Sequence, residues 1–422
     1  MAYEQLITVV RQKLLLAQTF DPKSKDQVLA VLGQRFILDI CLGHVNAVAT
    51  LDTAVSSHLR YCIETTDDRS WSFTRYPSEP FLSHVAADTL HGASSPQSIC
   101  GTALQTLRDI VVSGLVEKGL RGELVCRLLL LLSKDVMGTR RALSDSNSDL
   151  FFCRSVPLLH WLESIFGDFR EHIYPPTDRD AVYSKIKEDF AGATVNLSHF
   201  IAMDSNITDS EDQNWKYVRY SSVYLLNISA DTNTPSTGHW LSRMWMRTAG
   251  VQLALNQPLF DQVIPVRILP PDYKEDMETS LSDFEQQMSG VYISNRARNS
   301  GTRADLSKMT TNHDDVRCQQ GLPEVIIHID IGVQEDSRTD KRITYPIRGT
   351  SKTLRIYAKG LNKEVFPFLA LPCITGVEAA LQDILRAQVP STAPELIALR
   401  NAPLFGSKSG SDWKSYENEV MS

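Results

Sequence analysis

The sequence has no apolar run long enough to cross a bilayer. Its longest, Leu128–Leu132, falls far short of the roughly 20 residues a spanning helix needs. The stretch Met1–Arg11 carries Glu4 early and shows no basic segment leading into an apolar block, so no secretory signal is expected. There is no C-x-x-C pair among the seven cysteines, Cys41, Cys62, Cys100, Cys126, Cys153, Cys318 and Cys373. Their odd number and scatter suit reduced thiols in the cytosol or nucleus better than a disulfide framework or a zinc knuckle. Positive charge is also short. A net charge of −7 argues against coating nucleic acid through bulk charge and leaves only a local basic face for that purpose.

The common catalytic signatures are missing as well. No G-x-x-x-x-G-K-[ST], H-E-x-x-H, G-x-S-x-G or protein-kinase set occurs, and Gly406–Gly410 has the wrong spacing for a phosphate loop. The ten histidines are isolated. His160, His199 and His239 sit beside apolar or aromatic residues and read as core or surface groups, because no second ligand lies at metal spacing.

What is present predicts an α+β, multi-domain protein: 422 residues exceed one ordinary core. Apolar spacing predicts helices over 4–20, 25–42 (stripe Val28, Leu29, Leu32, Phe36, Ile40), 45–63 and 78–90. Two more fall within 95–135, broken near Lys118-Gly119, with Leu124, Leu128, Leu131 and Leu132 lining one side of the second. Others follow at 156–166 and 178–190. The expected domains are an all-α helical array (1–192), a helical connector (193–235), a mixed α/β domain (236–405) and a flexible tail (406–422). The α/β domain opens with a helix over 236–255. Strands are expected over 260–269, 290–296, 324–333 and 353–359, with a closing helix over 375–387. The acidic stretch 272–285 and the polar stretch 299–320 read as surface excursions.

One constellation bears on chemistry. A helix, then Asp261 heading a strand, then a second strand ending Ser294-Asn295-Arg296, is the layout of metal-dependent phosphodiester hydrolases. Such sites need oxygen ligands for Mg²⁺ and a Lys to orient water or neutralise developing charge. Ser294 stands where a Glu or Gln is needed, and Arg296 where the Lys is needed; an arginine has no accessible neutral form. Arg355, Tyr357 and Lys359 alternate on one strand as a basic, aromatic-interleaved face able to grip a phosphate backbone. His328 and Asp330 read as a solvated or edge-facing pair opposite the apolar face of Val325, Ile327, Ile329 and Ile331.

Several phrases carry a resemblance: Val28–Arg35, His58–Cys62, Ser78–Leu82, Gly114–Val125, Val195–Phe200, Phe260–Pro265 and Leu354–Gly360. In this order they resemble a family of basidiomycete fungal proteins, compared with Crinkler-like proteins and often carrying a P-loop NTPase ahead of this region. In that family the last domain looks like the PD-(D/E)XK nuclease fold. The resemblance places Asp261 at the metal-binding Asp, and Ser294 and Arg296 at the acid/amide and Lys positions, where both depart from the pattern. It implies an intracellular protein with an inactive nuclease-like domain that binds nucleic acid or a protein partner, such as an NTPase-bearing chain, with no membrane and no cofactor. Two alternatives stand beside it. One is an active endonuclease holding Mg²⁺ on Asp261 with carboxylates from Asp272, Glu275 or Asp276. The other is a helical interaction scaffold with no nucleic-acid role.

Overall fold

The computed structural model describes residues 8–12, 14–15, 18–38, 40–41, 61–64, 72–75, 80–91, 99–113, 116, 121–142, 154–202, 237–253, 260–270, 273, 280–297, 321–332, 339–347, 349 and 351–386. Within them, helices of the N-terminal part and one large mixed sheet share a continuous core.

Helix α1 (Lys25–Phe36) buries Val28, Leu29, Leu32 and Phe36, the stripe its spacing predicts. It ends six residues before the expected Leu42 because Ile37 takes a left-handed φ of 55°, which a helix cannot continue through. Helices α2 (Pro80–His91), α3 (Ile99–Val112) and α4 (Arg121–Ala142) follow. α2 opens on Pro80, whose missing N–H costs nothing in the first turn. In α4 the whole run Leu128–Leu132 is fully buried, so its apolar surface is wider than the single side expected. A helix apolar all round belongs inside a layer, and α4 packs against α1, α2 and the later helices α5 (Leu158–Phe166) and α10 (Val377–Arg386).

The N-terminal part is not all-α. Strands β1 (Ile40–Cys41), β2 (Tyr61–Glu64) and β3 (Ser72–Arg75) form an antiparallel sheet in the order β1-β3-β2. Residues 61–63, the expected end of a third helix, therefore lie in β2; 45–60 are outside the described residues. Strand β4 (Val156–Pro157) takes the first two positions of the helix expected at 156–166. After the short helix α6 (Phe169–His172) and α7 (Arg179–Asp189), strands β5 (Ala193–Val195) and β6 (His199–Ala202) complete this part.

Helix α8 (Thr237–Met246) is shorter than the 236–255 expected; strand β7 (Ala249–Gln252) follows it, and 254–255 are outside the described residues. Thr248 breaks the helix with a φ of 55°. Gly250 then lets Phe200 close in: a Cβ there would stand 2.6 Å from the Phe200 ring. Strands β8 (Gln262–Ile268), β9 (Met288–Arg296), β10 (Glu324–Asp330) and β12 (Thr353–Lys359) lie where alternation predicts them. Helix α9 (Leu281–Gln286) and strand β11 (Asp340–Thr344) were not expected.

The nine-stranded sheet runs β11-β12-β10-β9-β8-β5-β4, with β7 and β6 branching from β8. β7 pairs with the first residues of β8 and β5 with its last. β9, β10 and β12 are parallel; β8 and β11 run against their neighbours. The sheet thus draws strands from both sides of residues 192 and 235.

Each face of the sheet has its own core. Val291, Ile293, Val325, Ile327, Leu354 and Ile356 join the large core under the helices. Val263, Tyr292 and Ile326 join a smaller one with Leu241, Trp240 and Phe284 of α8 and α9. The expected one-sided strand 324–333 is therefore covered on both sides, as strands of parallel sheets are.

Candidate functional site

Asp261 is placed by a chain of buried polar contacts that starts in the helices. Arg127 of α4, 1% exposed, gives its Nε–H to the Phe36 carbonyl at 2.9 Å and an Nη1–H to Gln252 Oε1 at 2.6 Å. Gln252 in turn donates from Nε2 to the Asp261 carbonyl at 2.9 Å, and Gln262 donates to Gln252 Oε1 at 3.0 Å. The Leu253 N–H reaches the same Asp261 carbonyl at 2.8 Å. The backbone of residue 261 is thereby fixed from two sides.

The strands carrying the predicted site residues are adjacent. Gln262 pairs with Ile293 in the antiparallel register, which sets Asp261 opposite Ser294 one step on, and the Asp261 N–H reaches the Ile293 carbonyl at 2.8 Å. The Asp261 carboxylate accepts the Asn295 backbone N–H at 2.5 Å, doing at the end of the ladder what a main-chain carbonyl does inside it. Burial pushes the Asp261 carboxyl above its ordinary range, against the pull of the Asn295 N–H and the charge of Arg296.

These residues do not match the needs of Mg²⁺. A hard cation takes several oxygen ligands in a near-octahedral shell. The site offers a carboxylate already engaged with an N–H, the hydroxyl of Ser294 and a guanidinium. Asp330, the nearest acid on the same face by register, is two strands away, about 10 Å at ordinary strand spacing. Among the described residues no group of three His, Cys, Asp or Glu could hold a metal. Asp272, Glu275 and Asp276 lie outside the described residues.

The sequence did not reveal that its separate candidates share one face. Ser294 pairs with His328, and His328 with Tyr357; Arg296 pairs with Asp330, and Asp330 with Lys359. Arg342 and Asp340 of β11 extend the two rows. All lie on the side of the smaller core, beyond the part that α8 covers. His328 is 6% exposed, not solvated, and Asp330 is half-buried. Arg355 stands apart from the others. It is set opposite Ile326, and its charge acts on Glu324, whose carboxyl burial pushes up while the Thr353 hydroxyl and Arg355 draw it down.

The histidines singled out earlier have other places. His199 is fully buried, with Nδ1 2.9 Å from Ser198 Oγ; burial, with Arg247 and Arg35 nearby, holds it neutral at a pKa of about 3. His239 Nδ1 meets Glu285 Oε1 at 2.5 Å, tying α8 to α9. His160 is exposed.

Fold and site together define a mixed α/β protein with a polar face at the ends of parallel strands. The chain belongs to the family of a domain of unknown function, DUF8736, which matches residues 23–235. That match covers helices α1 to α7 and strands β1 to β6 and ends before Asp261. No curated protein and no solved structure matches the chain. Among the described residues, no helix is long and apolar enough to cross a membrane.

Proposed function

We propose that this chain binds nucleic acid through the polar sheet face and does not cut it. One observation carries the reading: the acid that a nuclease-type site would give to a metal is hydrogen-bonded to the Asn295 N–H, with Ser294 and Arg296 as its neighbours. The order α8, β7, β8, β9, with an Asp leading β8 and the Ser294-x-Arg296 pair ending β9, supports a nuclease-like ancestry. So does the resemblance to the basidiomycete family. Arg296 carries charge to a phosphate but cannot act as a neutral base. Tyr357 and Lys359, on the same face, add a ring and a second cation.

The test has two arms. Single- and double-stranded DNA and RNA are incubated with the full chain and Mg²⁺ or Mn²⁺; no cleavage is expected. Cleavage that Asp261→Ala abolishes overturns the non-cutting reading. Filter binding at two salt concentrations supplies the second arm, since phosphate contacts weaken as salt rises. Failure to retain any nucleic acid at low salt returns the chain to the helical-scaffold alternative.

A further inference from the structure

The C-terminal ends of the parallel strands hold two cations. Arg296 ends β9 and Lys359 ends β12, each in register with Asp330 of the strand between them. Both are half-buried. Among the described residues, neither side chain enters a salt bridge or a hydrogen bond. Their acidic neighbours turn oxygens to other groups. Asp340 pairs with Arg342 at 2.9 Å, and Asp330 Oδ1 accepts the Gly332 N–H at 3.3 Å. Asp261, whose carboxyl feels the charge of Arg296, and Asp330 balance the two cations in charge, yet neither carboxylate is in salt-bridge contact with either side chain. Leaving two cations half out of water with no hydrogen-bond acceptor is costly, and an anion seated between them offsets that cost. Crevices at the carboxyl ends of parallel strands are where open α/β sheets receive ligands.

We infer that these strand ends hold one backbone phosphate of a single-stranded nucleic acid between Arg296 and Lys359, with the Tyr357 ring as the platform for the adjoining base. The inference rests on the nucleic-acid reading above and narrows it. Tyr357 stands two residues inside Lys359 on the same face, about 6.6 Å along the strand, so ring and cation serve neighbouring parts of one nucleotide. Burial, with Asp330 and Asp340 close by, pushes the Tyr357 phenol up to about 12. The hydroxyl stays protonated at neutral pH and can donate to a phosphate oxygen. A base is free to stack on a side chain only in an unpaired strand, which is why duplex is the weaker ligand.

Fluorescence anisotropy with the full chain tests this, using a labelled single strand, its blunt duplex, and a mononucleotide and inorganic phosphate as competitors. The single strand is expected to bind at least about tenfold more tightly than the duplex, because stacking on one aromatic side chain is of that order. One neutralised phosphate gives a shallow salt slope of about −0.7, hence about a 2.6-fold loss between about 50 and 200 mM salt. Arg296→Gln and Lys359→Gln should each weaken binding about tenfold, and the double variant should remove the slope of roughly 0.7. Tyr357→Ala should weaken it about tenfold with the slope unchanged, and Tyr357→Phe should keep most of the affinity. Unchanged thermal melting of each variant separates loss of contact from loss of fold, and competition by phosphate against the unaltered chain gives a readout free of substitutions. Binding that survives both charge substitutions, equal affinity for the duplex, or full competition by mononucleotide at the oligonucleotide's own affinity overturns this inference while nucleic-acid binding stands. No binding to any nucleic acid overturns both.

Discussion

Arg35 and Asp135 meet in a two-pronged ion pair sealed inside the helical layer. The Nη1–Oδ2 and Nη2–Oδ1 distances are 2.6 and 2.8 Å, and each side chain is 1% exposed. His91 Nε2 stands 2.9 Å from Asp135 Oδ2, and Arg35 Nε donates to the Ser198 carbonyl at 3.1 Å. The pair thus joins α1, α2 and α4 to the segment leading into β6. Burying two charges is expensive and the attraction only offsets it, so removing one partner is worse than removing both. Asp135→Ala or Arg35→Ala should cost about 3–5 kcal/mol in urea denaturation. The double variant Arg35→Met/Asp135→Leu should cost less than either single change. Additive losses would show that the two side chains act independently.

The same pair sets an acid limit on stability. Burial alone would raise the Asp135 carboxyl, but the Arg35 guanidinium and the His91 hydrogen bond outweigh it and hold the group well below its ordinary 3.8. A carboxylate with a depressed folded value binds fewer protons folded than unfolded, so its contribution is complete above the unfolded value. It drains away as pH falls from about 3.8 toward the folded value. Urea midpoints measured from pH 5 down to pH 2.5 should decline, and more gently in the Arg35→Met/Asp135→Leu variant. Parallel declines in the two proteins would assign the acid sensitivity to other carboxyls.

Gly192 makes the turn that delivers β5 to the sheet. Its φ is +77°, and a Cβ there would stand 2.6 Å from the Leu269 carbonyl oxygen. Leu269 also gives its N–H to the Gly192 carbonyl at 3.1 Å, so neither backbone can yield. Gly192→Ala combines a left-handed strain of about 1 kcal/mol with an overpacking cost of about 1–3 kcal/mol. Gly321 provides the contrast: its φ is +101° but nothing lies within 4 Å of an added Cβ. Gly321→Ala should lose only the strain. Thermal melting of the two variants side by side measures the difference.

How much of this was legible depends on where each strand's neighbours come from. β8, β9, β10 and β12 announce themselves because alternating β-branched residues fit only a pleated surface. β11 hides because Asp340, Lys341 and Arg342 make it look like a loop; an edge strand carries such charges to deter pairing with other chains. β4, β5 and β6, of two to four residues, are too short for any period to register. Residues 249–252 escape the sequence because Val251 and Leu253 suit a helical stripe as well as a strand, and the φ of Thr248 decides between them. The Asp261–Ser294 neighbourhood followed from a hairpin-like order. The shared face of Ser294, His328 and Tyr357 did not, since register between parallel strands is settled by connections distant in the chain.

Asp261 itself offers the sharpest discrimination between a strand-ending residue and a metal ligand. Its folded carboxyl titrates above the ordinary 3.8 because it is desolvated. Such a group holds more protons folded than unfolded, so its stabilisation is complete below 3.8 and is lost as pH rises through the folded value. At neutral pH the ionised carboxylate is therefore a burden that the Asn295 N–H only partly relieves. Asp261→Asn removes the charge and keeps an oxygen for that N–H. The variant should melt at or above the temperature of the unaltered chain at pH 7, with the advantage shrinking toward pH 4. Asp261→Ala removes the acceptor too and leaves a part-buried N–H unanswered, at a cost of about 1–3 kcal/mol. Melting in the presence and absence of Mn²⁺ completes the comparison. If Mn²⁺ raises the melting temperature of the unaltered chain and Asp261→Asn loses that rise, the carboxylate is a metal ligand after all. A rise of similar size in both proteins places any metal elsewhere and leaves Asp261 as the residue that closes the strand.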